Sequence, residues 1–262
     1  MPMKNRIVQG HRFAYLDEGE GRPLVLLHGF CGSSAYWQEV IPLLAPHFRV
    51  IAPDLRGHGE SEAPDELVYR MEAFAEDIAA LIRRLELDHP VVLGHSLGGY
   101  VTLALAELHE GLLGGFGLIH STAYPDSEEG RAGRDKGIAT IRTEGLAAFV
   151  DGLVPKLFAP DSITTKADAL QEAKQIGKGT SPAAAIASQE GMKLRIDRNS
   201  VLAGTSLPVL LVAGSQDGLV PVERTFSVQR EGVVCRELEG TGHMSMLEAP
   251  NELARVILDF LA

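Results

Sequence analysis

The chain has 262 residues, 45% apolar and 23% charged, values of a globular protein with one large domain or one domain carrying an insertion, which excludes a disordered or fibrous chain. A formal charge of −11 repels phosphate backbones and anionic headgroups, so neither nucleic acid nor a membrane surface is expected as a partner. No run approaches the about 18 apolar residues of a membrane span, and the opening Met1-Pro2-Met3-Lys4-Asn5-Arg6 has no apolar signal core, so a cytoplasmic monomer or homodimer is expected.

Residues 6–17 alternate in polarity and predict a half-exposed hairpin, an antiparallel pair at one sheet edge. Residues 23–27, 50–53, 91–93, 115–119 and 208–213 are short apolar runs, each ending in Gly, polar or turn residues. Such runs, separated by helical patterns, predict buried parallel strands joined by crossover helices. Phe74, Ile78, Leu81, Ile82 and Leu85 recur at helical spacing in one of those intervals. Residues 121–202 change character: no strand-like run occurs, Ala, Gly, Lys and Glu are frequent, and residues 138–141 and 146–158 read as helix. A helical cap inserted into a core of residues 1–120 and 203–262 fits this pattern. Residues 233–238 are strand-like, and Leu253, Val256, Ile257, Phe260 and Leu261 follow Pro250 at helical spacing. Cys31 and Cys235 lack CxxC spacing and predict free thiols, with no metal site and no cofactor.

Chemistry concentrates at the ends of three of these strands. Gly94-His95-Ser96-Leu97-Gly98-Gly99 lies between a strand and a helix-like stretch, the setting of a G-x-S-x-G nucleophile elbow. Strand and helix must approach closely around a serine in a strained turn, so its flanking positions must be small. Serine is a weak nucleophile that needs a base, itself oriented by a carboxylate. Asp217 follows the run 208–213 and His243 follows 233–238, giving the order Ser, Asp, His. Taken singly, Asp217 reads as a turn aspartate and His243 as one of nine histidines; their joint order predicts the triad Ser96, Asp217 and His243.

Leu27-His28-Gly29-Phe30, the stretch from Asp54 through Arg56-Gly57-His58-Gly59 to Ser61, the elbow, Gly214 to Asp217 and Gly242-His243 together resemble the α/β-hydrolase superfamily, over nearly the whole chain. The resemblance implies an α/β fold with a mostly parallel central sheet flanked by helices. It also implies an oxyanion hole from the backbone N–H groups of Phe30 and Leu97. Members that act as dehalogenases or epoxide hydrolases carry an aspartate where this chain has Ser96, so an acyl-enzyme route is expected. The expected function is hydrolysis of carboxylic esters of small to medium acyl chain, a small-molecule substrate. The same triad serves lactonases, thioesterases and hydrolases of carbon–carbon bonds in diketones, and a hydrolase-like ligand receptor is the reading from another class. Phe149, Leu153, Leu157 and Phe158 recur at helical spacing; ordinary packing explains that stripe, and Phe149, Leu153 and Leu157 with Phe30 are the candidate substrate contacts. Trp37, Phe74 and Tyr100 read as core aromatics. Cys31, beside the oxyanion loop, is expected to let thiol reagents crowd the pocket.

Overall fold

A computed structural model describes residues 1–262. Eight strands, β1 (Lys4–Val8), β2 (His11–Glu18), β3 (Pro23–Leu27), β4 (Arg49–Pro53), β5 (Val91–His95), β6 (Gly115–Ile119), β7 (Val209–Gly214) and β8 (Val233–Leu238), form one sheet in the order β1-β2-β4-β3-β5-β6-β7-β8. The first two pair antiparallel with each other, and β2 pairs antiparallel with β4. All other pairings are parallel. Gln9 and Gly10, at φ 51° and 85°, make the β1–β2 reversal, a two-residue turn of the hand that matches strand twist. The edge hairpin and each apolar run predicted as a strand thus form as expected.

The helices are α1 (Ile41–Leu44), α2 (Met71–Arg84), α3 (Leu97–His109), α4 (Glu128–Glu144), α5 (Leu146–Leu153), α6 (Ser162–Thr165), α7 (Ala167–Lys178), α8 (Pro182–Lys193), α9 (Asn199–Gly204), α10 (Val222–Thr225), α11 (Ser245–Glu248) and α12 (Pro250–Leu261). Alternation along the central strands sends side chains to two core layers. Val25, Leu27, Val92, Phe116, Leu118, Val209 and Leu211 pack with Phe74, Ile78 and Ile82 of α2 and Val101 and Leu105 of α3. Leu24, Leu26, Val91, Leu93, Leu210 and Val212 pack on the other face with Ile41 and Leu44 of α1 and Leu253, Val256 and Ile257 of α12. Both faces of the sheet are therefore covered, which is why β3, β5, β6 and β7 read as continuous apolar runs.

Between β6 and β7 lie α4 to α9 and no strand. α9 runs through residue 202, where the sequence reading placed the return to the core, and Leu202 packs in the same layer as Phe116 and Val209. Arg198, just before α9, reaches Glu72 of α2 at 2.5 Å and Glu107 of α3 at 2.8 Å. No helix is long and apolar enough to cross a membrane.

Candidate active site

Ser96 sits between β5 and α3 at φ 50°, ψ −113°, a backbone conformation that L residues rarely adopt and that costs on the order of 1–3 kcal/mol. Its N–H donates to the Ile119 carbonyl at 3.0 Å, and its own carbonyl accepts from Gly99 N–H at 2.9 Å and from the Ser121 hydroxyl at 2.7 Å. The glycines make this turn possible. A Cβ on Gly98 would meet the Leu27 and His28 carbonyl oxygens at 2.6 and 2.8 Å, and one on Gly94 would run into the Gly98 carbonyl. β5 and α3 therefore close on each other and on the loop after β3.

Asp217 lies beyond β7. One carboxylate oxygen accepts the N–H groups of Leu219 and Val220 at 2.8 and 3.0 Å. The other lies 2.7 Å from His243 Nδ1 and 3.5 Å from His120 Nδ1. Burial works to raise this carboxyl, but the two imidazoles and their hydrogen bonds outweigh it and hold it well below the usual carboxylate range. An ionised acceptor at Oδ2 fixes His243 with its proton on Nδ1, which leaves Nε2 as an acceptor.

The loop bearing His243 is held from three sides. Its N–H donates to the Leu157 carbonyl at 2.7 Å, and its carbonyl accepts from His95 Nε2 at 2.9 Å. The buried Glu248 carboxylate accepts from Gly242, Met244 and Ala159 N–H groups between 2.9 and 3.2 Å. His120 Nε2 is 2.7 Å from the Ser245 hydroxyl, and burial lowers the affinity of His120 for a proton even beside Asp217.

Ser96 and His243 face a common cavity of about 540 Å³. Phe30, Phe149, Leu153 and Leu157, the four candidate substrate contacts, all line it, and the rings of Phe30 and Phe149 meet edge to face at 5.9 Å. The Phe30 and Leu97 N–H groups donate to no carbonyl or side chain in the chain. Leu97 opens α3, where first-turn amides lack intrahelical partners, and the neighbour of Phe30, Gly29, is so close to Ser96 that a Cβ there would lie 3.2 Å from the serine Cβ. Both amides are thus available beside Ser96.

Trp37, Phe74 and Tyr100 are buried core aromatics as read, and Tyr100 also walls the cavity, with the Arg195 guanidinium 4.1 Å from its ring centre. One sequence reading is corrected. Cys31 is 1% exposed and does not line the cavity. Burial pushes its thiol up, which disfavours the thiolate that a reagent would need. Sequence reasoning missed His95, His120 and Glu248 around the His243 loop, and Asp126, Arg134, Arg195 and Arg224 in the cavity wall. His95 stands inside the elbow next to Ser96 and Arg195 in a charged stretch after α8, and nothing in spacing marks either. No group of three or more His, Cys, Asp or Glu side chains is arranged to hold a metal ion.

The model of the alpha/beta hydrolase fold matches residues 22–126. A thermophilic esterase from Thermogutta terrifontis superposes with a TM-score of 0.93 at 29% identity, over 100% of this chain and 98% of that one. The 2-hydroxy-6-oxo-6-(2'-aminophenyl)hexa-2,4-dienoic acid hydrolase of Metapseudomonas resinovorans is 27% identical over 95% of this chain and 87% of its own. A soluble epoxide hydrolase from Corynebacterium sp. is 44% identical over 100 residues, 38% of this chain, and the match spans only 35% of that protein.

Proposed function

We propose that this chain, which belongs to the α/β-hydrolase superfamily, is a serine hydrolase that cleaves carboxylic esters of small to medium acyl chain through an acyl-enzyme. The observation that carries this reading is one cavity wall holding Ser96 at positive φ and a His243 whose Nδ1 is 2.7 Å from Asp217. In this reading His243 Nε2 takes the Ser96 proton as Oγ attacks the ester carbonyl, and Asp217 stabilises the imidazolium. The free Phe30 and Leu97 amides receive the oxyanion, donors worth roughly 3 to 4 kcal/mol each in acyl transfer. Collapse of the adduct expels the alcohol with the proton from His243, and water then repeats the sequence to release the acid. The insertion 121–202 acts as a cap whose Phe149, Leu153 and Leu157 contact the acyl chain. Likeness to the Thermogutta esterase supports the ester as substrate.

Turnover of 4-nitrophenyl acetate, butyrate and octanoate, with intact mass after a fluorophosphonate probe, tests the assignment. Wild type is expected to turn over the shorter esters and take one adduct. Ser96→Ala loses the adduct and on the order of 10⁴-fold or more in kcat. Retained activity in that variant would overturn the role of Ser96. A second reading, cleavage of a carbon–carbon bond in a diketone by the same residues, is favoured by the likeness to the dienoic acid hydrolase. A vinylogous diketone acid in the same panel separates the two by kcat/KM.

A further inference from the structure

The chemistry above uses only part of the cavity. The remainder of the wall is charged, and its sign opposes that of the molecule. Three arginines, Arg134, Arg195 and Arg224, line the cavity against a single carboxylate, Asp126. That leaves a surplus of two positive charges in a chain whose formal charge is −11.

The three arginines are not equivalent. Asp126 is shared by Arg134 Nε at 2.5 Å and Arg195 Nη1 at 2.6 Å. Burial tends to raise that carboxyl, but the two guanidinium groups overcome it and hold it below its ordinary range. Arg195 is further committed to the Tyr124 and Met192 carbonyls, at 3.2 Å each, and to the face of Tyr100. Arg134 and Arg195 are thus locked into the wall. Arg224 has no carboxylate within 4 Å and its guanidinium makes no hydrogen bond; it rests on the Tyr124 ring, 4.9 Å from the centre. Its backbone is fixed, because the Thr122 hydroxyl donates to the Arg224 carbonyl at 2.9 Å. A stacked guanidinium with all its donors free is oriented to take a carboxylate by two parallel hydrogen bonds. Around it, the surplus charge in a partly enclosed cavity raises the local concentration of anions over that at the acidic outer surface.

We propose that the cavity takes anionic esters, in which a carboxylate remote from the scissile bond is bound by Arg224 while the ester carbonyl meets Ser96. This rests on the serine-hydrolase reading for the chemical step and adds the substrate class. Hydrolysis consumes one water: the acyl–oxygen bond breaks, the alcohol leaves with a proton, and for a half-ester a dicarboxylate is released.

Two matched pairs read the preference on either side of the ester: mono-4-nitrophenyl adipate against 4-nitrophenyl hexanoate, and 4-butyryloxybenzoate against phenyl butyrate. In wild type the ratio of anionic to neutral kcat/KM is expected to exceed ten for at least one pair, and to fall as NaCl is raised from 0.05 to about 0.5 M. Arg224→Gln is expected to lower that ratio at least tenfold, Arg224→Lys to restore part of it, and the exposed Arg6→Gln to leave it unchanged. Ratios near one in both pairs, or a preference indifferent to Arg224→Gln, would overturn the anion site while the Ser96-dependent turnover stood. Calorimetry of adipate with Ser96→Ala reads the site without turnover. Binding that Arg224→Gln weakens at least tenfold supports the proposal even if the fluorophosphonate adduct fails to form, and no heat from either protein overturns it.

Discussion

Asp217 carries more of the site than a single ion pair with His243. Its two oxygens accept two backbone N–H groups and face two imidazoles, at 2.7 and 3.5 Å. Replacement by asparagine keeps the shape and removes the charge that fixes the proton on His243 Nδ1. The expected outcome for Asp217→Asn is a loss of kcat of about 10²- to 10⁴-fold, the scale of the analogous change in a serine protease, with fluorophosphonate labelling of Ser96 slowed in parallel. Stopped-flow labelling and steady-state turnover measured together check this. Unslowed labelling would mean that a group other than Asp217 orients His243. At this scale the sequence made Ser96, Asp217 and His243 legible because each follows an apolar run in a fixed order. It could not show Glu248 closing on Ala159, 89 residues away in the chain, or Asp126 between two arginines, because those pairings arise from tertiary packing. The apolar stripe that begins in α5 was legible as a stripe; that Phe149, Leu153 and Leu157 face the cavity was not.

The elbow shows how an element-scale contact sets a side chain. α3 can begin at Leu97 only because Gly98 lets its first turn lie against the end of β3, where the Leu27 and His28 carbonyl oxygens are closer than a Cβ tolerates. Both clashing atoms are backbone, so neither can rotate away. Gly98→Ala is therefore expected to push α3 from the sheet, lowering stability by about 1–3 kcal/mol as overpacking does, and to cost turnover at least tenfold by displacing Ser96 and the Leu97 amide. Urea unfolding and turnover on the same preparation separate the two effects. An unchanged kcat would show that the elbow absorbs the methyl without moving Ser96. The central strands and helices α2 and α12 were readable because burial on both faces writes apolar runs and burial on one face writes a 3.6-residue period, whereas α7 and α8 were read only as part of a helical stretch. The four-residue helices α1, α6, α10 and α11 have no room for a period and carry no such signal in the sequence. α10 nonetheless carries Arg224, so the least legible elements include one that matters to the cavity.

Across the whole molecule, the buried histidines tie stability to pH. His28 Nε2 accepts the Leu55 N–H at 2.9 Å while its Nδ1 lies 2.8 Å from the Gly29 carbonyl, an arrangement that only the neutral ring with its proton on Nδ1 can make. His58 Nδ1 lies 3.0 Å from the Arg56 carbonyl and its Nε2 is buried without a partner. Burial pushes His28 down to about 4 and His58 down to about 3. Burial likewise lowers His95 and His120, the former further depressed by its histidine neighbours. In the unfolded chain each ring takes its proton near pH 6.5. Below that point the unfolded state binds protons that the folded state refuses, so stability is full above about pH 6.5 and falls as the pH drops toward 4. Each ring refused costs about 1.4 kcal/mol per pH unit below the unfolded value, so passing from pH 7.5 to 5.5 removes up to about 3 kcal/mol at His28 and His58 together, and His95 and His120 act in the same direction. The carboxylates held below their usual range, Asp17, Asp126 and Asp217, keep their contribution through that interval and lose it only below about pH 4. Urea midpoints at pH 7.5 and 5.5 should therefore differ with the m-value unchanged, and imidazole nitrogen shifts should report neutral rings at His28 and His58 in the folded protein at the lower pH. Equal midpoints would require those rings to be protonated inside the fold, and for His28 that means losing the bond from Leu55, close to the loop that carries Phe30.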